Sequence, residues 1–349
     1  MEAINPANIQ RFNSMVEHAR RIAIVTHTKP DGDAIGSSAA MYHFLKAAGK
    51  DDVTVILPDR FPDTLSFLVN EIKAEDFFIY CTDTPTTSAR IASCDLIICL
   101  DFNSFSRAGD MTDILYASEA EKVLIDHHLN PKREDFSLIF SDTEISSASE
   151  LLYHILTEMP DVSHNVSDIP KKAAEALLTG VTTDTNNFAN STFPSTLRMT
   201  ADLIEAGVDR DTIVSRINCS YSENRLRLLG YTLKERMVIT KENVAYIVLD
   251  KETLEKYEVK DGDTEGFVNM PLGIGNIRMS ILAKEDSGFM RISIRSKKDI
   301  SANRLAAAHF HGGGHENAAG GRLYIPEDIL SAEDCAGYIE TVTGNFFRQ

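Results

Sequence analysis

Histidine and aspartate, both ligands for divalent cations, gather at four places in this chain. The first is His27-Thr28-Lys29-Pro30-Asp31-Gly32-Asp33 and the second is Asp101. The third is Asp126-His127-His128, and the fourth is Asp184 within the run Thr179 to Thr185. Carboxylate and imidazole together suit a hard-to-borderline ion, and manganese fits such a mixed shell. Thiolates are absent from all four places, which argues against a structural zinc site. Two ions about 3.5–4 Å apart can clamp a phosphoryl group and lower the pKa of a bridging water enough for attack on phosphorus. Such a pair needs a shared carboxylate, and Asp101, alone at a central strand tip, is placed to supply it.

Taken singly, each place has a duller reading. Asp31-Gly32-Asp33 is turn sequence, a strand-end Asp101 or Asp184 could be a cap, and adjacent histidines are commonly packing residues. Their joint occurrence decides, because apolar strands precede three of the four.

The elements that must position them alternate. Arg21 to His27 (RIAIVTH), Val53 to Leu57, Asp95 to Leu100 and Lys122 to Ile125 read as buried strands. Gly36 to Ala48 has helical spacing and stops at Gly49. Continuous apolar strands separated by helices predict a mainly parallel sheet covered on both faces. Ligands of such sheets bind outside the carboxyl ends of the strands, so all four places are read as strand ends or the turns after them. Leu151 to Met159 and Ala173 to Leu178 read as helices. Ser195 to Met237 is almost wholly helical, with breaks near Gly207 and Cys219. Val244 to Leu249, Arg278 to Ala283 and Met290 to Ile294 are strand-like, with a Ser287-Gly288 turn between the last two. A helix at Ala302 to Phe310 then leads into a glycine-rich segment.

The expected fold is α/β with two domains: an N-terminal, mainly parallel sheet flanked by helices, and a smaller C-terminal α/β domain. The expected divisions are a first domain over 1–213, a helical linker over 214–237 and a second domain over 238–349.

At 349 residues the chain exceeds the size of a single core. With 43% apolar and 25% charged residues it has the composition of a soluble globular protein. No apolar run approaches the roughly 20 residues of a membrane span. Met1 to Arg20 lacks a secretory core, and five scattered cysteines fit reduced thiols, so a cytoplasmic location is expected. The acceptor tripeptides at Asn165 and Asn190 are then noise. A net charge of −17 disfavours a grip on long duplex and leans toward a short anionic substrate.

Gly312-Gly313-Gly314-His315 could let backbone amides approach an anion, as a nest or helix-start cradle. It lacks the Gly-Lys-Ser/Thr of a nucleoside-triphosphate loop. A flexible turn is the bland alternative. A metal site from His309, His311 and His315 is another, but it lacks a carboxylate or thiol partner. His18, His43, His154 and His164 fit no cluster and read as structural or solvent-facing.

HTKPDGDAIGS, the aspartate of LDFNSFSRAG, the triplet DHH and the aspartate of TGVTTDT resemble the four motifs of the DHH phosphoesterase superfamily. Gly312 to His315, followed by Ala318-Ala319-Gly320, resembles the signature of the first-type DHH-associated domain. The motifs run in the family's order from residue 27 to residue 320. The resemblance implies one ion on His27, Asp31 and Asp101 and another on Asp33, Asp101, His127 and Asp184, with magnesium or cobalt as alternatives to manganese. It implies that Asp126 orients the cluster, that His128 faces the substrate phosphate and that Arg107 neutralises phosphoryl oxygens. Asp101, His128, Arg107 and Asp126 form the implied catalytic set. The resemblance makes 1–213 the metal-binding catalytic domain and 238–349 the substrate-binding domain, with Arg295, Gly313, Gly314 and His315 contacting a nucleotide or its terminal phosphate across the active-site cleft between them.

Among such relatives, the acidic charge, the absence of tryptophan and the two-module length point away from enzymes that handle long strands. The expected function is that of the stand-alone nanoRNase and 3′-phosphoadenosine-5′-phosphate phosphatase group: two-metal hydrolysis of short oligonucleotides, of that bisphosphorylated nucleotide, or of both. Alternatives are a linear or cyclic dinucleotide phosphodiesterase and an exopolyphosphatase. A non-enzymatic nucleotide sensor would have lost ligands, and all six are present. Expected partners are short single strands or phosphorylated nucleotides, no long duplex and no membrane, with a homodimer as one assembly.

Overall fold

A computed structural model describes residues 4–218, 221–260 and 262–348. The chain divides into two compact units, Met1–Ser220 and Tyr221–Gln349. The division falls inside the segment 214–237 expected to link the domains.

The first unit holds strands β1 (Arg21–Val25), β2 (Asp52–Leu57), β3 (Phe77–Ile79), β4 (Leu96–Leu100), β5 (Glu121–Asp126) and β6 (Leu138–Ser141). They form one parallel sheet in the order β3-β2-β1-β4-β5-β6. Its helices are α1 (Pro6–His18), α2 (Gly32–Ala47), α3 (Ser66–Val69), α4 (Thr84–Ala92), α5 (Thr112–Ala117), α6 (Ala148–Glu158), α7 (Lys171–Asp184), α8 (Pro194–Glu205) and α9 (Arg210–Asn218). The central strands are apolar without alternation because both faces are buried. Ile22 and Ile24 pack among residues of α1, α2, α6 and α7, while Ala23 and Val25 pack with Ile91, Phe105 and Leu115 on the other side. Strands β3 and β6 escaped the sequence reading because they are short edge strands with incomplete burial.

The second unit holds β7 (Met237–Ile239), β8 (Val244–Leu249), β9 (Met279–Asp286), β10 (Phe289–Ser296), β11 (Gly313–Gly314) and β12 (Ala318–Tyr324), in the order β11-β12-β10-β9-β8-β7. The sheet is mixed, since β8 and β9 run parallel while the other neighbours are antiparallel. Gly288, at φ 80°, closes the β9–β10 hairpin as the Ser287-Gly288 turn predicted. The helices are α10 (Glu223–Tyr231), α11 (Lys251–Lys256), α12 (Ala302–His309) and α13 (Cys335–Phe346). Ile281, Ile292 and Ile294 pack with Leu305 of α12 and Ile339 of α13 on one face of this sheet.

The helical stretch is interrupted at Gly207, φ 95°, as expected. The expected break near Cys219 lies outside the described residues. Among those residues, no helix is long and apolar enough to cross a membrane.

Candidate metal centre

Strand β1 stops at Val25, and the Thr26 hydroxyl donates to the Leu100 carbonyl at 2.8 Å. That bond ties the carboxyl ends of β1 and β4, so His27 and Asp101 leave adjacent strands side by side. His27 Nδ1 donates to the Thr28 carbonyl at 2.8 Å. This fixes the ring so that Nε2 faces Asp101 Oδ2 at 3.3 Å and Asp31 Oδ1 at 4.0 Å. Asp101 sits in left-handed backbone, φ 63°, an unusual conformation that the surrounding fold must hold in place. From β5, His127 Nε2 reaches Asp101 Oδ1 at 3.4 Å and Asp184 Oδ2 at 3.7 Å.

Asp31 and Asp33 arrive on the start of α2. Asp31 is its N-cap, accepting from the Asp33 and Ala34 amides at 3.1 Å each. Asp33 is buried, and both of its oxygens accept amides from the start of α6: Ala148 at 2.7 Å and Ser149 at 2.9 Å. Asp184 departs from the strand-end reading, for it is the last residue of α7. Within this threonine-rich run the Thr179, Thr182 and Thr183 hydroxyls donate back to carbonyls of the helix, so their polar groups are satisfied while the buried Ala173, Ala176, Leu177 and Val181 hold α7 against the core. Glycines let α7 lie close against α2. A Cβ at Gly36 would stand 2.8 Å from the Ala176 carbonyl oxygen, and one at Gly32 would strike the Thr183 side chain.

Three overlapping groups could therefore hold a cation, each with ligand atoms within 4.8 Å of one another: His27, Asp31, Asp101; Asp33, His127, Asp184; and Asp101, His127, His128. Asp101 belongs to two of them. Its Oδ1 is buried without a hydrogen-bond donor, an acceptor that a cation would satisfy. The donor set, all oxygen and imidazole nitrogen, fits a divalent ion.

The charges follow from crowding. Burial disfavours the imidazolium of His27 and of His127, but the Asp101 carboxylate outweighs it and raises them to about 9 and about 10. Burial pushes Asp101 upward, yet the two histidines beside it leave it below the ordinary carboxylate range. Asp33 is raised by burial and by the Asp101 and Asp184 charges. Asp184 rises to about 6 through burial, against the pull of His127 and with a push from Asp101 and Asp31.

Asp126, fully buried at the end of β5, accepts from His128 Nδ1 at 2.7 Å. Its direct partner is thus His128. The half-buried Arg107 lies on the loop after β4, whose carbonyl at that residue accepts the Thr28 amide at 2.8 Å. Gly109, φ 58°, lets this loop press on Thr28, where a Cβ would come within 2.5 Å of Thr28 Cγ2. Arg107 makes no ion pair among the described residues.

The remaining expected contacts lie in the second unit. Arg295 is on β10, its Nη1 donating to the Ile294 carbonyl at 3.0 Å, and partial burial lowers its pKa without a carboxylate partner among the described residues. The glycine segment is neither a helix start nor an open nest. It follows the end of α12 and pairs as β11 with β12, Gly313 opposite Gly320 and Gly314 opposite Ala319. A Cβ at Gly314 would stand 2.5 Å from the Ala318 carbonyl oxygen, so glycine there serves close strand approach. The amides of Gly312, Gly314 and His315 are taken by Ala306 O, Asn303 Oδ1 and Ala318 O. His311 pairs with Asp328 at 3.0 Å, and no metal group forms around His309, His311 and His315 among the described residues.

Sequence reasoning missed the α6 amides that hold Asp33. The signal was present in Ser147-Ala148-Ser149-Glu150, a capping-box pattern that marks a helix start ahead of Leu151.

The overlapping carboxylate–imidazole groups gathered beyond the carboxyl edge of the parallel sheet are suited to divalent ions, and the family match makes this a metal-dependent phosphoesterase. Residues 21–181 match the DHH family, N-terminal domain, and residues 241–334 match the DHHA1 domain. The chain belongs to the DHH family. It is 31% identical over 309 residues to the bifunctional oligoribonuclease and PAP phosphatase NrnA of Thermus thermophilus, covering 86% of this chain and 84% of that protein. It is 26% identical over 305 residues to the Bacillus subtilis protein of the same name, covering 87% and 89%. A crystal structure of an exopolyphosphatase-related protein from Bacteroides fragilis superposes with a TM-score of 0.90 at 39% identity, covering 99% of this chain and 98% of that one.

Proposed function

We propose that this chain is a manganese-dependent hydrolase of short oligoribonucleotides and of 3′-phosphoadenosine-5′-phosphate. The observation that carries the reading is Asp101, whose oxygens face His27 on one side and His127 on the other while Oδ1 lacks a donor. In this reading His27, Asp31 and Asp101 hold one ion, and Asp33, Asp101, His127 and Asp184 hold the second. Divalent ions there would supply Lewis-acid activation of water and neutralise charge on the phosphoryl group. Asp126 fixes the His128 ring toward the reacting phosphate, and Arg107 adds a positive charge to its oxygens. Arg295, Gly313, Gly314 and His315 bind the rest of the nucleotide, the Gly314 and His315 amides being already engaged within the unit. The names of the Thermus and Bacillus relatives support this substrate class.

The test is a substrate panel with manganese, magnesium or cobalt: di- to pentaribonucleotides, the bisphosphorylated nucleotide, cyclic and linear dinucleotides, polyphosphate and longer single strands. Turnover confined to short strands and the bisphosphorylated nucleotide, lost on chelation and best restored by manganese, is the expected result. The exopolyphosphatase-related name of the Bacteroides structure favours polyphosphate as a second reading. Polyphosphate hydrolysis that a nucleotide does not compete against would select it.

A further inference from the structure

We propose that Glu150, which touches none of the proposed ligands, is a positioning residue that sets Asp33 for its ion; this rests on the two-ion reading above. Glu150 is a fully buried carboxylate on α6, and burying a charge is costly unless partners compensate it. One oxygen, Oε2, accepts from the Ser146 amide at 3.0 Å, from the Ser146 hydroxyl and from the Thr196 hydroxyl of α8 at 2.7 Å. The other, Oε1, has no hydrogen-bond donor and lies 3.7 Å from His154 Nε2. The Glu150 amide in turn donates to the N-cap hydroxyl of Ser147 at 3.0 Å.

An ordinary capping box returns its glutamate to the N-cap amide. Here the side chain reaches one residue further, to Ser146, and also across to α8. It thereby fixes the turn that leads into α6 from both sides. Two amides a little further along, those of Ala148 and Ser149, each donate to one oxygen of Asp33. Asp33 is therefore oriented from a segment far away in sequence, through bonds that leave its remaining lone pairs for a cation beside His127 and Asp184. The helix start also places partial positive charge against one of four crowded carboxylates. Residues that orient metal ligands through hydrogen bonds typically change metal affinity by about ten- to a hundredfold when removed.

The test is calorimetric titration of manganese into the full chain, wild type against Glu150→Gln and Thr196→Val, with melting in chelator as a fold control. The wild type should bind two ions. Each variant should bind one of them at least tenfold more weakly, with kcat recovering in excess manganese and KM for a dinucleotide unchanged. Ion affinities within tenfold of wild type overturn the proposal, whatever happens to melting or turnover, because Glu150 would then serve the fold alone. Should Glu150→Gln fail to fold, the Thr196→Val titration decides by the same threshold. A wild type that binds fewer than two ions overturns the two-ion reading instead, so the two failures are distinguishable.

Discussion

Gly180 of α7 lies against Ser149 of α6 so closely that any side chain at 180 would strike the serine hydroxyl. The same Cβ would stand 2.8 Å from Asp33 Oδ1. Two helices and a candidate ligand thus share one space that only hydrogen can fill. Gly180→Ala should destabilise the protein by about 1–3 kcal/mol, the usual cost of overpacking, and weaken manganese binding at the Asp33 group. Urea unfolding in chelator and a metal titration measure the two effects separately. Unchanged values in both would mean that α7 shifts aside freely.

Asp101→Asn should remove turnover far more completely than Arg107→Ala. The first removes a charge shared by two candidate ion groups. The second removes one charge-assisted contact to substrate, worth roughly 1.5–3 kcal/mol or about ten- to a hundredfold in kcat/KM. Metal content of the purified variants is the decisive measurement. Two bound ions and near-normal turnover in Asp101→Asn would exclude a bridging role.

In chelator, stability should fall as pH rises from about 7 toward 10. His27 and His127 have folded values of about 9 and about 10 against 6.5 unfolded. Their contribution is complete below 6.5 and is lost as pH climbs through the folded values. Metal binding has the opposite slope, since a ligating imidazole must give up its proton. Melting temperatures across pH 6 to 10, with and without manganese, should therefore diverge. A flat profile in chelator would show that neither histidine is held charged by Asp101.

Arg295→Ala and His315→Ala should raise KM for a dinucleotide by roughly tenfold to a hundredfold while leaving metal binding intact. Hydrolysis of a small generic phosphodiester should hardly change. Kinetics on both substrates settle it: equal losses would place the second unit's side chains in the chemistry and not in recognition.

The parallel sheet was legible because β1, β4 and β5 are buried on both faces and so read as unbroken apolar runs. His27, Asp101 and His127 were legible for the same reason, each standing within two residues of the end of such a run. Asp184 was harder, because a glycine and four threonines conceal a helix whose continuity comes from burial and close packing on α2. The glycine segment was ambiguous for a related reason. Adjacent glycines are equally suited to an anion nest and to tight strand pairing, and only the partner strand β12, distant by a turn, decides between them. The Ser147 to Glu150 capping pattern marks the start of α6, but that its amides grip Asp33, 115 and 116 positions away, is a pairing no local pattern records.

The strand order has a consequence for biosynthesis. Strand β1 is made first yet lies inside the sheet, with β2 on one side and β4 on the other, and Asp184 follows only after β6 and α6 have been made. A chain growing from its N-terminus therefore exposes His27, Asp31 and Asp33 long before their partners exist. Until α7 has emerged it can offer a cation only part of the Asp33 group, so full loading would be confined to chains synthesised past that helix. Ion capture would then stabilise a nearly complete first unit, by an amount that grows with free metal concentration relative to its dissociation constant.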